Sequence, residues 1–210
     1  MRLLHPRLWI AALVLTSLLG ARLAPLATAH DATPTAATCN AAPVDKEHVL
    51  SLWYDADHNL KALPATPAMQ SEMGSAEVTL PMGQPADSIT VAGVTETVAG
   101  AFDCFMAGDF VGALGYFTDH LITSFGPEEG VTYEQAEEFL NTPPEPDPDQ
   151  STLVSVANVM KLADGTVGAF VIERRPNGDD IASYGIFVKE GDVWKVDAIY
   201  DFPSADDSNG

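Results

Sequence analysis

The chain has 210 residues and a formal net charge of −20, with 30 acidic side chains against 10 basic ones. That balance excludes nucleic acid and anionic membrane surfaces as partners, since both are held by basic patches. The length suits one ordinary domain with extensions.

Arg2 and Arg7 precede an apolar run at 8–20, and the small-residue site Ala27-Thr28-Ala29 follows. A basic start, a short apolar stretch and an A-x-A site make up a secretory signal peptide, cleaved near Ala29. The run is too short to span a bilayer, which takes about 20 apolar residues. No comparable run follows, so the mature chain is expected to begin near His30, secreted or extracytoplasmic, with no membrane contact after cleavage. Every acidic residue, but only seven of the ten basic ones, lies beyond that point. Cys39 follows Ala36-Ala37-Thr38, which is not a lipoprotein site. The two cysteines of an exported chain, Cys39 and Cys104, most simply form one disulfide. Closing their 65-residue separation contributes about 4 kcal/mol in the chain-entropy description.

Residues 30–87 read as an N-terminal extension. A small, polar lead at 30–42 carries the Cys39 anchor, and 43–52 predicts a short helix with Pro43 in its first turn. A linker at 63–87 holds Pro64, Pro67, Pro81 and Pro85, which forbid a long helix. The domain spans 88–203, and a polar tail occupies 204–210. Asp87 or Ser88 caps its first helix, where Val91, Val94, Val98, Ala101, Phe102 and Phe105 recur at three- and four-residue steps. Gly93, Thr97, Gly100 and Cys104 form a second stripe of small residues that admits close approach, and Cys39 is expected to dock there. Gly108 and Asp109 break this helix and start a shorter one carrying Phe110, Ala113, Leu114 and Phe117. A third helix is predicted at 131–140, with Thr132 capping toward Gln135. A stiff acidic loop rich in proline follows at 141–149.

From Ser151 the apolar period changes to two. Runs at 152–162, 166–174, 181–189 and 193–201 are separated by turns containing Asp164-Gly165, Asn177-Gly178 and Gly191-Asp192, which predict consecutive antiparallel hairpins. The fold class is therefore α+β: cone-shaped helices packed on a curved antiparallel sheet, with the N-terminal extension attached.

The run FDCFMAGDFVGALGYFTD at 102–119, together with Trp194-Lys195-Val196-Asp197 in the last strand, resembles the nuclear-transport-factor-2-like superfamily. That group includes ketosteroid isomerase, scytalone dehydratase and the SnoaL-like cyclases. The likeness covers about 88–202. The extension joined through 81–87 resembles secreted bacterial members with no assigned activity. The resemblance implies a pocket between the helices and the concave sheet face, and no cofactor.

Strand alternation puts Trp194, Val196, Ala198 and Tyr200 on one face and Lys195, Asp197 and Asp201 on the other. The aromatic face is assigned to the pocket, with Tyr116, Phe117, Phe125, Phe170 and Tyr184 as further lining residues. Asp119-His120 is the nearest approach to an acid–base pair, and Tyr116 and Tyr184 are the other catalytic candidates. Glu173-Arg174-Arg175 reads as a solvated strand end, or as a seat for a carboxylate. No metal-ligand spacing, P-loop, dinucleotide or Ser-His-Asp signature occurs. His30, as a new amino terminus, His48 and His58 are not placed to hold a metal. The leading expectation is a module that binds a small apolar molecule. A cofactor-free isomerase, dehydratase or cyclase is the second expectation. The third is a homodimer through the convex sheet face, using Val154, Val156, Ile186 and Val188.

Overall fold

The computed structural model describes residues 38–62, 80–81, 83–146 and 149–202. The expected signal peptide, His30, most of the proline-rich linker and the polar tail lie outside the described residues. The described residues belong to one compact unit.

Among the described residues, five strands make one antiparallel sheet in chain order: β1 (Gln84–Pro85), β2 (Thr152–Lys161), β3 (Val167–Arg174), β4 (Asp180–Glu190) and β5 (Val193–Asp201). The four long strands lie within a residue of the runs read from the sequence. Their turns place Gly165, Gly178 and Gly191 at positive φ, where a residue without Cβ avoids strain. Strand β1 comes from the segment assigned to the linker, and it pairs Gln84 with Lys161 and Pro85 with Met160. Pro85 has no N–H for a second neighbour, so it is suited to this edge position. Register shifts interrupt the ladders at Leu153/Ser155, Ala157/Met160 and Ile186/Phe187. Such bulges bend a sheet and strengthen its twist, giving a concave face for the helices.

The helices begin where a side-chain oxygen satisfies free amides. Helix α1 (Lys46–Trp53) starts at Asp45, whose carboxylate accepts from Glu47 N and His48 N. It therefore begins three residues later than the sequence expectation, because Asp45 caps more effectively than Pro43 initiates. Asp87 caps α2 (Ser88–Met106) through Thr90 N, and Asp109 caps α3 (Phe110–Ala113) through Gly112 N. A 3-10 turn at Leu114–Tyr116 leads into α4 (Asp119–Ser124), a helix absent from the sequence expectation, which Thr118 caps. The expected Thr132–Gln135 capping box is complete at the start of α5 (Tyr133–Asn141).

By length and composition alone α2 is also apolar enough to cross a bilayer. This corrects the expectation that only residues 8–20 carry such a run. Its buried residues Val94, Val98 and Ala101 belong to the main hydrophobic cluster, as in a core helix.

Helix α1 contributes Val49, Leu50 and Trp53 to that same cluster, each at most 3% exposed. Cys39 and Cys104 form the disulfide. The small-residue stripe on α2 does admit close neighbours, but they differ along its length. A Cβ on Gly93 would strike Trp194, and one on Gly100 would strike Tyr116. Thr97 Oγ1 donates to the Trp194 carbonyl at 2.8 Å. The extension reaches the stripe at Cys104, through the disulfide. Strand β5 and the 3-10 turn hold the rest of it.

Of the residues expected on the convex face, Ile186 and Val188 alternate with the core residue Phe187 and so face outward. Val156 pairs with buried Val171 and packs against the core, which removes it from the outer face. Val154 falls within a bulge and is exposed.

Candidate functional site

A cavity of about 530 Å³ lies between α2, α4 and the concave face of β3, β4 and β5. Small-molecule sites typically enclose about 300–1,000 Å³. Helix α2 supplies Val98, Ala101, Phe102 and Phe105, and the sheet supplies Val171, Phe187, Val196 and Ile199. These walls are apolar because α2 repeats its hydrophobic residues at helical spacing and the strands alternate theirs.

The polar lining includes Glu173, Ser183, Asp197, Asp201 and His120. Ser183 lies opposite Val171 on β3 and opposite Asp201 on β5. Direct cross-strand partners keep their Cβ atoms about 4.5–5.5 Å apart, and diagonal neighbours lie about 7–8 Å away. Glu173, two residues beyond Val171, is therefore the diagonal neighbour of Ser183. The end of β3, the start of β4 and the end of β5 thus bring Glu173, Ser183 and Asp201 to one end of the concave face.

Burial raises the Glu173 carboxyl above the ordinary range for a glutamate, and the Asp201 charge adds to this. A hydrogen bond from Ser151 and the charge of Arg175 act in the opposite direction. A raised carboxyl pKa means that ionised Glu173 is less favourable in the fold than in the unfolded chain. Its contribution to stability is present below the unfolded pKa and is lost as pH rises through the higher folded value. Glu173→Gln is therefore expected to gain thermal stability relative to the parent between about pH 4 and pH 7. Paired melts at both pH values check this, and a constant difference would contradict it.

His120 is at the cavity, and Nδ1 lies 3.1 Å from the Asp197 carbonyl and 3.5 Å from Asp197 Oδ1. Thr118 donates its hydroxyl to Asp197 Oδ1 at 2.7 Å. Asp119 turns away, and both of its carboxylate oxygens lie 3.0 Å from His48 Nε2 on α1. Adjacent helical residues diverge by about 100°, so Asp119 and His120 do not pair with each other. The carboxylate beside His120 comes from β5.

Phe117 and Phe125 line the cavity, with ring centroids 5.8 Å apart. Tyr200 borders it, although its cross-strand partner is Tyr184. The other expected lining residues lie elsewhere. Tyr116 packs over Gly100, and burial raises its hydroxyl pKa. Trp194 covers Gly93 at the other end of the α2 stripe. Phe170 and Tyr184 face each other edge-on at 5.3 Å, and Phe202 stacks on Phe170 at 5.8 Å. Both alternate with the cavity residues Val171, Ser183 and Gly185, which places them on the opposite face.

One bulge accounts for much of this rearrangement. Phe187 pairs with Val196, but Ile186 pairs with Ala198, so Asp197 is the extra residue. Alternation restarts beyond it: Ile199 and Asp201 turn inward, and Ala198 and Tyr200 turn outward. Glu173 was legible in a different way. It continues the two-residue step of Val167, Ala169 and Val171, all buried. Its neighbour Arg174 instead makes a forked ion pair with Asp180, at 2.7 and 3.0 Å, which engages that guanidinium.

Among the described residues, no group of three or more His, Cys, Asp or Glu side chains has metal-binding geometry. No protein-family profile matches the chain, and no curated protein matches it. Among solved structures, an Ntf2-like protein involved in plasmid conjugation is similar, with 16% identity and a TM-score of 0.38. The match covers 72% of this chain and 55% of that one, so this chain spans little more than half of its length. Likeness at that level carries no argument about activity. The α+β architecture stands on its own elements: helices packed on a curved antiparallel sheet.

Proposed function

We propose that this is an extracytoplasmic small-molecule-binding domain of the nuclear-transport-factor-2-like kind, with its ligand held in the cone cavity. The observation that carries this reading is a cavity of about 530 Å³ with apolar walls and a few convergent polar groups, the usual form of a small-molecule site. The disulfide supports an oxidising compartment.

A neutral apolar dye, N-phenyl-1-naphthylamine, tests the cavity. Saturable fluorescence enhancement is expected with the parent protein. It should fall at least about tenfold in affinity in Ser183→Trp, whose indole would occupy the space, since each 1.4 kcal/mol of lost contact is a factor of ten. Circular dichroism would show that the variant is folded. Equal binding by both folded proteins would place the dye elsewhere and overturn the reading.

The His120–Asp197 contact at the same cavity favours a second reading, proton transfer on a bound molecule by a cofactor-free isomerase, dehydratase or cyclase. A histidine oriented through Nδ1 leaves Nε2 available for that chemistry.

A further inference from the structure

We propose that the cavity selects an organic cation: an apolar body lying along α2 and the sheet, with a protonated amine between Glu173, Asp201 and Ser183. The inference rests on the cavity reading and specifies the chemistry of its occupant.

Two independent observations point to the same end of the cavity. The first is charge. Glu173 and Asp201 share the concave face beside Ser183, and the Asp201 charge acts on the Glu173 carboxyl. The charged or titratable groups near them are Arg175, Asp197, His120 and Tyr200. Arg175 is exposed and acts on Glu173 only through its field. Asp197 is engaged by Thr118 and His120. Among the described residues, no basic side chain except His120 lines the cavity. Two carboxylates beside an apolar cavity repel an anion and leave a neutral apolar molecule without a partner for their charge. A cation relieves their mutual repulsion.

The second observation is Ser183. It is 8% exposed, and its hydroxyl has no hydrogen-bond partner among the described residues. Its strand position aims it into the cavity, between the two carboxylates. The hydroxyl opens on the cavity, since no sealed side-chain oxygen or nitrogen among the described residues lacks a partner, and it offers a donor and acceptors to an occupant. An ammonium group has three donors, enough to serve Ser183 Oγ, Glu173 and Asp201 together. The apolar walls leave room for the rest of the molecule, and its burial adds affinity in proportion to its area.

Three probes of equal chain length separate the terms: n-octylamine, n-octanol and n-octanoate, each titrated by calorimetry near neutral pH. The amine is expected to bind at least about tenfold tighter than the alcohol, with octanoate weakest. Added salt should weaken the amine and leave the alcohol unchanged. Glu173→Gln and Asp201→Asn should each reduce the ratio of amine to octanol affinity, and continued binding of the neutral dye shows that the cavity is intact. If the alcohol binds as tightly as the amine, or the variants keep the amine preference, the cationic selection is overturned and the apolar cavity stands. If none of the three binds while the neutral dye also fails, the cavity reading itself falls. If the dye binds and all three octyl probes fail, the amine inference alone is overturned.

Discussion

Trp53→Ala is expected to destabilise the protein by about 3–5 kcal/mol, the usual cost of truncating a buried aromatic side chain to alanine. Trp53 is 3% exposed, and its Nε1 donates to the Ile122 carbonyl at 2.9 Å. Removing the indole would leave a cavity and also strand that carbonyl. The next residue, Tyr54, donates its hydroxyl to the Val131 and Thr132 carbonyls at 3.0 and 3.1 Å. These two side chains fasten α1 to α4 and to the start of α5. Since α4 carries His120 and Leu121 to the cavity, loosening α1 should also weaken dye binding. Urea denaturation of the parent and the variant gives the difference directly. A loss under about 1 kcal/mol would mean that α1 lies on the surface as an appendage.

Reduction of the Cys39–Cys104 disulfide is expected to cost about 4 kcal/mol, from the chain entropy of a 65-residue separation. For a unit of this size that is roughly an 8–16 °C fall in melting temperature. The double variant Cys39→Ala/Cys104→Ala should reproduce the fall without reductant. Cys104 is fully buried in the last turn of α2. The lost crosslink therefore frees the lead into α1 while the hairpins of the sheet remain. Identical melting with and without reductant would show that α1 packing alone holds this region.

The four hairpin strands were legible because Asp-Gly and Asn-Gly turns punctuate a period-two pattern, and both signals are local. The Thr132 capping box is similarly local, and it appears as expected. Helix α4 was missed because its six residues are too few to show a period. Strand β1 was missed because Gln84 and Pro85 carry no strand preference, and only the neighbouring β2 makes them one.

The candidate site was legible in part. Phe117, Phe125 and His120 are at the cavity. Phe170 and Tyr184 are not, because both faces of β3 and β4 are apolar and the sequence offers no sign of which faces the helices. Tyr116 and Trp194 are large aromatics that fill grooves over Gly100 and Gly93. From sequence alone they are indistinguishable from lining residues.

The sequence by itself determined the α+β order of elements, the hairpin turns, the acidic surface and the pairing of its two cysteines. All of these follow from local spacing, composition or a count of two. The tertiary structure alone decided that His120 meets Asp197 rather than Asp119, and that Glu173, Ser183 and Asp201 share one end of a cavity. Those outcomes depend on the register between strands and on one extra residue at Asp197. A single inserted residue reverses every side chain beyond it, and no local pattern announces where the partner strand will accommodate it.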